Sequence, residues 1–134
     1  MSDSALPALK GIIDRLESVA GVTSLVSTRI YTEVPEKPTY PFIIIRMESV
    51  PFAAKDFSDQ EHTINIQAFS LMTSPVECLS IRGAVWDALD RQAANITVAG
   101  KNVVKCNYSG LAYFDKEPDG ITWQSLVSFV LTIN

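Results

Sequence analysis

The sequence has little that points to chemistry. It contains a single histidine, His62, and only two cysteines among 134 residues. Zinc sites use pairs of cysteine or histidine ligands, and nucleophilic catalysis needs a base beside a serine or cysteine in a defined arrangement. Neither pattern is present. We therefore expect no catalytic residues, no metal ligands, no cofactor-binding residues and no enzyme activity.

Phosphate and calcium motifs are missing as well. The six glycines are isolated, and none belongs to a GxxxxGK or GxGxxG run. Acidic residues alternate over 115–119, but Pro118 lies where a calcium loop needs flexibility and no glutamate closes the loop at its twelfth position. The segment is predicted to be a solvated turn.

Charge is sparse and leans acidic. Eleven basic and fifteen acidic residues give a net charge of −4, and charged residues make up 19% of the chain. The basic residues are scattered singly, which disfavours nucleic-acid binding as the main function. The low charged fraction fits either an ordinary monomer with an apolar surface or a surface covered by other chains.

Long apolar runs are also lacking. No run approaches the ~18 residues of a membrane span, and the N-terminus lacks the apolar core of a secretion signal. We expect a protein made and used in a cytoplasm, without a membrane partner. Cys78 and Cys106 lie in no recognised spacing, so buried free thiols are expected.

Apolar periodicity predicts two helices. The first covers residues 4–20, with Leu6, Leu9 and Leu16 on its apolar stripe and Gly21 as its stop. Residues 23–26 are predicted to add one helical turn. The second helix runs to about residue 90. Its start is the clearest in the chain, because Ser74-Pro-Val-Glu has the pattern of a capping box.

Strand patterns fill most of the rest. Strands are predicted over 42–50, 61–71, 103–114 and 121–133, and a short one over 96–98 begins a small hairpin limb. The last strand is apolar on both sides at its centre, which places it inside a sheet or under a second chain. Gly83 is predicted to bring the second helix close to the sheet.

These elements predict one α+β domain over residues 1–134. Its core is an antiparallel-rich β-sheet of about four main strands plus the small hairpin limb, with two α-helices packed on one face.

Aromatic residues near loops and strand ends are the candidates for a protein–protein interface. They fit two interpretations: plugs at the rim of a local core, or anchors between chains, where aromatics are enriched. We select two groups for the second interpretation, the charged loop 51–60 and the end of the 103–114 strand. The candidate residues are Phe52, Lys55, Asp56, Phe57, Tyr113 and Phe114.

Several landmarks in this order resemble a known family. An amphipathic helix is followed by Arg29-Ile-Tyr, a proline-rich stretch and Tyr40-Pro-Phe-Ile-Ile-Ile-Arg. Then come Ile64-Asn-Ile-Gln-Ala-Phe, Ser74 with its helix, and a closing alternating strand. The order resembles the small tail-completion and tail-terminator proteins of long-tailed bacteriophages and gene-transfer agents. Phe69 stands where the family often has a tryptophan.

The resemblance implies a structural virion protein at the head-proximal end of a phage tail. Such proteins resemble ring-forming tail terminators, typically of six copies, which stop the tail tube and join it to the head connector. The implied partners are other copies of the chain, the tail-tube protein and the connector, with DNA only as passing cargo. The implied location is the tail or neck of the virion, assembled in the host bacterial cytoplasm.

Two alternatives remain open at this point. A head-completion or connector protein would have a similar sequence pattern. A small ligand-binding regulatory α+β module would instead use the sheet face that the helices leave uncovered, and it would be stabilised by its ligand.

Overall fold

The computed structural model describes residues 4–51, 60–71 and 74–134. Its elements, in chain order, are α1 (Ala5–Ser18), α2 (Ala20–Val26), β1 (Ile30–Tyr31), β2 (Phe42–Pro51), β3 (Gln60–Ser70), α3 (Val76–Leu89), a short 3-10 helix (Ala93–Asn95), β4 (Val103–Lys116) and β5 (Trp123–Ile133).

One five-stranded sheet organises the fold. Its strand order is β1-β2-β3-β5-β4, and every pair is antiparallel except β1 with β2. The three helices contribute to one hydrophobic core with the same side of the sheet. Among the described residues, the other side, the open face, carries no helix. The predicted α+β class with an antiparallel-rich sheet is confirmed. The details differ, because the described ranges hold five strands and three α-helices.

The small hairpin limb is the strand prediction that was wrong. Ile96 and Val98 are buried, as an alternating strand would require, but they follow the 3-10 helix and pair with no strand. The fifth strand is the two-residue β1, which pairs with Ile43 and Ile44.

The N-terminal helix is broken into two. Val19 is extended, with φ −97° and ψ 116°, so α1 ends at Ser18 and α2 begins at Ala20. Gly21 therefore lies inside a helix and is not the predicted stop. The turn with positive φ comes later, at Ser27, after the predicted extra turn over 23–26 has formed as part of α2. Leu6, placed on the apolar stripe, is 61% exposed.

The start of α3 uses the predicted residues in a different arrangement. The Ser74 hydroxyl accepts the Val76 N–H at 3.2 Å, but the Glu77 carboxylate accepts the Ser70 hydroxyl at 2.7 Å and does not close a capping box. The side chain of Glu77 thus links α3 to the end of β3. The buried stripe of α3 includes Cys78 and Ile81, as predicted.

Close approach of a helix to its neighbour occurs at Gly11, not at Gly83. A Cβ on Gly11 would lie 2.6 Å from the backbone oxygen of Thr97, whereas a Cβ on Gly83 would meet nothing within 4 Å. The interpretation of Gly83 was therefore wrong. Gly11 lets α1 touch the segment that leads from the 3-10 helix towards β4.

This difference gives a matched pair of predictions. Gly11→Ala is expected to lower the unfolding free energy by about 1–3 kcal/mol, because backbone atoms must move to admit the methyl group. Gly83→Ala is expected to raise it by up to about 1 kcal/mol through helix propensity. Urea denaturation of the two variants measures both. Equal effects would contradict the close approach at Gly11.

Candidate assembly interface

The predicted interface residues fall into two groups. Phe52, Lys55, Asp56 and Phe57 lie outside the described residues. Tyr113 and Phe114 lie on β4, in the half that pairs with the beginning of β5. Neighbouring residues of a strand point to opposite faces, so these two side chains have different surroundings.

The side chain of Tyr113 is available for contact, whereas the side chain of Phe114 is partly buried. Tyr113 lies on the open face and is 40% exposed. Phe114 points to the helix side, where its ring stacks on Trp123 with a centroid distance of 5.1 Å and an interplanar angle of 5°. The Lys116 ammonium lies 4.9 Å from the Trp123 ring centroid. Phe114 thus fits the interpretation of a plug at the core rim.

Four of the seven strongly exposed aliphatic side chains among the described residues belong to segments at one end of the sheet; Leu6, Val104 and Leu111 lie elsewhere. We call this end the apolar end; there β2 and β5 begin and β3 and β4 end. Four strongly exposed aliphatic residues belong to segments that adjoin it: Val34 (51%), Leu71 (45%), Val76 (66%) and Ile121 (63%). Sequence reasoning missed them, because they lie far apart in the chain and form no periodic apolar pattern with one another. Only the fold brings their segments together.

Aromatic side chains pack together beside the apolar end. The Phe42 ring packs against Tyr31, Tyr40 and Phe69, with centroid distances of 6.2, 5.0 and 5.0 Å. A cleft of about 330 Å³ opens beside this group, and its lining includes Val34 and Pro118. The rings give the surface a rigid base, so a partner docking there would order few side chains.

The turn that closes the apolar end is held by Asp119. Its carboxylate accepts the N–H of Ile121, the N–H of Thr122 and the hydroxyl of Thr122 at 2.7–2.9 Å. The Thr122 hydroxyl, the two N–H groups and the charge of Lys116 lower the pKa of Asp119. This turn presents Ile121 to solvent.

The candidate chemical groups are enclosed. His62 is 1% exposed, and its Nε2 lies 2.7 Å from the hydroxyl of Ser4, which also donates to Gln60 at 2.6 Å. These contacts tie the residue before α1 to β3. Cys78 and Cys106 are buried free thiols, as predicted. Burial raises the pKa of both, that of Cys106 to about 12 with a contribution from Asp90, so both remain protonated.

Within the described ranges, no group of three or more His, Cys, Asp or Glu side chains could hold a metal ion. No helix in the same ranges is long and apolar enough to cross a membrane.

The open face carries charges of both signs. Strand alternation places Glu48, Glu61 and Asp115 on it with Arg46 and Lys105. Three acidic and two basic residues leave this part of the face with a net charge of −1. A cleft of about 490 Å³ lies elsewhere, between α1 and the segment around Thr97.

Comparison with protein families gives one match that covers most of the chain. The model of the family described as Tail completion protein gp17 matches residues 10–133. The chain belongs to this family. The chain is accordingly a structural protein of a tail, and its resemblance to the tail-completion family, drawn from its landmark residues, is confirmed.

A solved structure shares the fold. A chain in a structure titled "Virion of native gene transfer agent (GTA) particle" superposes on this chain with a TM-score of 0.83. The two are 17% identical, and the match covers 98% of each chain. Comparison with curated proteins finds no match. At this identity the structural likeness shows the fold.

Proposed function

We propose that this protein forms a closed ring, of about six copies, on the last ring of a tail tube. The ring terminates tube growth and offers its other side to the head connector. The protein acts by assembly and not by catalysis. Its place is the head-proximal end of the tail, which is completed in the cytoplasm of the bacterial host.

The apolar end is the observation that carries this proposal. Exposed aliphatic residues on a small protein mark a contact surface when they lie together, and these adjoin a base of packed aromatic rings. A terminator needs a permanent, largely apolar contact with the tube. We therefore assign the apolar end to the tail tube.

The opposite end is built from other parts of the strands. There β2 and β5 end and β3 and β4 begin. A ring built from such subunits has two unlike sides, as a junction between two different partners requires. We assign this second end to the connector.

Passage of DNA fits the charge of the protein. A net charge of −4 and scattered basic residues give phosphate no site to bind tightly. Our sequence-based hypothesis is that acidic residues, and not Lys101 or Lys105, line the bore. Lys105 lies on the open face. If that face lines the bore, the bore repels DNA because the acidic residues of the face outnumber its basic residues, Arg46 and Lys105.

The assignment of the apolar end can be tested by tail assembly in the presence of purified protein. Val76→Glu with Ile121→Glu places two charges where the tube would dock. We expect this variant to fold but to leave tubes that grow past their normal length, because a buried unpaired carboxylate costs several kcal/mol. Electron microscopy of tail lengths measures the result.

Leu6→Glu is the matched control. Leu6 is exposed to a similar degree, and the residue before its helix contacts Gln60 at the opposite end of the sheet. Tails made with this variant should have normal length. Tails of normal length with the Val76→Glu and Ile121→Glu variant would contradict the tube assignment.

A further inference from the structure

The outer edge of β4 is free in its second half. Glu117 N–H donates to the carbonyl of Thr122 at 2.7 Å, so these two residues form a hydrogen-bonded pair. Hydrogen-bonded and non-hydrogen-bonded pairs alternate along an antiparallel ladder, so the N–H and C=O groups of Ala112 and Phe114 point away from β5. Within the parts of the chain that the structure describes, these outer groups have no hydrogen-bond partner. The outer N–H of Lys116 donates to the carboxylate of Asp115 at 2.7 Å.

The first half of the same edge is already occupied. The carbonyl of Cys106 accepts the N–H of Arg91 at 2.7 Å, and the N–H of Tyr108 donates to the Asp90 carboxylate at 2.9 Å. The segment after α3 therefore covers β4 up to its bulge, and the free part of the edge begins after it.

The opposite edge of the sheet is also free along half its length. Ile43 N–H donates to the carbonyl of Arg29 at 3.0 Å, so the odd-numbered residues of β2 point their backbone groups outwards. β1 covers β2 only beside Ile43 and Ile44. The outer groups of Met47 and Ser49 have no hydrogen-bond partner in the described ranges.

We propose that these two edges pair with each other between copies of the chain. The free edge of β4 in one copy adds to β2 of the next, antiparallel, with Phe114 opposite Met47 and Ala112 opposite Ser49. This register pairs the four outward residues Met47, Ser49, Ala112 and Phe114 and forms four backbone hydrogen bonds. The inference rests on the proposed ring, and it names the contact that builds it.

Strand direction agrees with a ring. Three antiparallel steps lead from β2 through β3 and β5 to β4, so β4 runs opposite to β2 within one copy. Rotation about an axis roughly along the strands preserves direction. The next copy therefore presents β2 antiparallel to β4, and the contact joins two different surfaces, as a cyclic ring requires.

The faces agree as well. Met47, Ala112 and Phe114 all pack against the core on the helix side. In this register the helix-covered side of one copy continues into the helix-covered side of the next, and the open face into the open face. A register shifted by one residue would join the helix-covered side of one copy to the open face of the next. The same register places Arg46 opposite Asp115 on the open face. Both side chains are exposed and they carry opposite charges.

The geometry of the edges also agrees. Lys116, the last residue of β4, comes opposite Ile45, just before the part of β2 that β1 covers. Within one copy the registers place Phe114 level with Ile43. Pairing Phe114 with Met47, which lies four residues beyond Ile43, thus displaces each copy by four residues along the strands. Each copy contributes the four strands β2, β3, β5 and β4 to this displacement. One residue per strand corresponds to a tilt of about 35°, which is within the range of closed barrels.

Disulfide trapping tests the register. Arg46→Cys with Asp115→Cys replaces two exposed side chains that would face each other in a non-hydrogen-bonded pair. Mild oxidation of the full chain should give, without reductant, a ladder of multiples of 14.7 kDa on a denaturing gel. The control is Arg46→Cys with Lys105→Cys, which places an equally exposed cysteine on the covered half of β4. We expect about tenfold less linkage in the control, because its cysteines lie too far apart to bond.

Charge reversal gives a second readout that needs no cysteine. Arg46→Asp and Asp115→Arg should each weaken association by about two- to fivefold, and the double reversal should restore it. The native mass of each sample, measured without oxidant, reports the ring separately. A ring of normal mass with no ladder and no restoration would overturn the edge pairing and leave the proposed function standing. No ladder and no ring at any concentration would overturn the edge pairing and count against a ring that forms in solution.

Discussion

Replacing Phe129 by alanine is expected to lower the unfolding free energy by about 3–5 kcal/mol. Phe129 is 0% exposed and is one of the two largest fully buried side chains described, with Phe42. It lies at the middle of β5, between Ile64 of β3 and Tyr108 of β4. Its loss would leave a cavity at the point where the sheet meets α3.

A loss of this size is a large share of the 5–15 kcal/mol that typically stabilise a domain. Urea denaturation at low protein concentration measures it without a contribution from assembly. Phe129→Leu is the control, since it keeps most of the volume and should cost less than about 1.5 kcal/mol. Similar losses in the two variants would mean that the site collapses around the alanine.

The position of β5 was predictable from sequence, and the reason is physical. Val127, Phe129 and Leu131 alternate with Leu126 and Val130, so the strand is apolar on both sides at its centre. Such a strand needs neighbours on both edges and cover on both faces. The structure confirms the interior position, between β3 and β4.

Other elements gave no signal that periodicity could detect. β1 is two residues long, and its pairing with β2 depends on contacts across the proline-rich segment, such as the Arg29 Nε donating to the carbonyl of Pro41 at 2.8 Å. The break at Val19 was hidden because α1 and α2 both bury aliphatic residues in the same core. Ile96 and Val98 alternate like a strand, yet the space beside them is filled by α1 at Gly11.

The candidate interface could be predicted only in part. Sequence marks aromatic residues, and Tyr113 is exposed as an interface anchor must be. Free strand edges and the apolar end are properties of strand order, which local sequence does not encode. Val76 and Ile121 lie 45 positions apart in the sequence, and only the fold assigns both to the same end.

Met47→Pro is expected to abolish the ring and leave the subunit folded. The outward N–H of Met47 donates to no other group within the described parts of one copy, so its removal costs no hydrogen bond there. In the proposed ring the same N–H bonds Phe114 of the next copy. Proline at this position removes that bond from every interface and places its ring against the incoming strand.

The repetition of the contact makes the effect large. A ring of six copies weighs about six times 14.7 kDa, or about 88 kDa, and each of its interfaces would lose the same bond. Native mass across a concentration range should therefore show the subunit alone. Circular dichroism should show an unchanged strand signal, because the edge position tolerates proline.

Two matched variants separate the lost N–H from other effects. Met47→Ala removes the same side chain but keeps the N–H, so its ring should persist. Glu48→Pro removes an N–H that points inwards to β3, and it should destabilise the subunit itself, as proline in a ladder position does. A ring that survives Met47→Pro would exclude β2 as the docking edge. Unfolding with Met47→Pro but not with Glu48→Pro would mean that the even-numbered residues of β2, and not the odd-numbered ones, point their backbone groups outwards. The register of the proposed pairing would then be wrong by one residue.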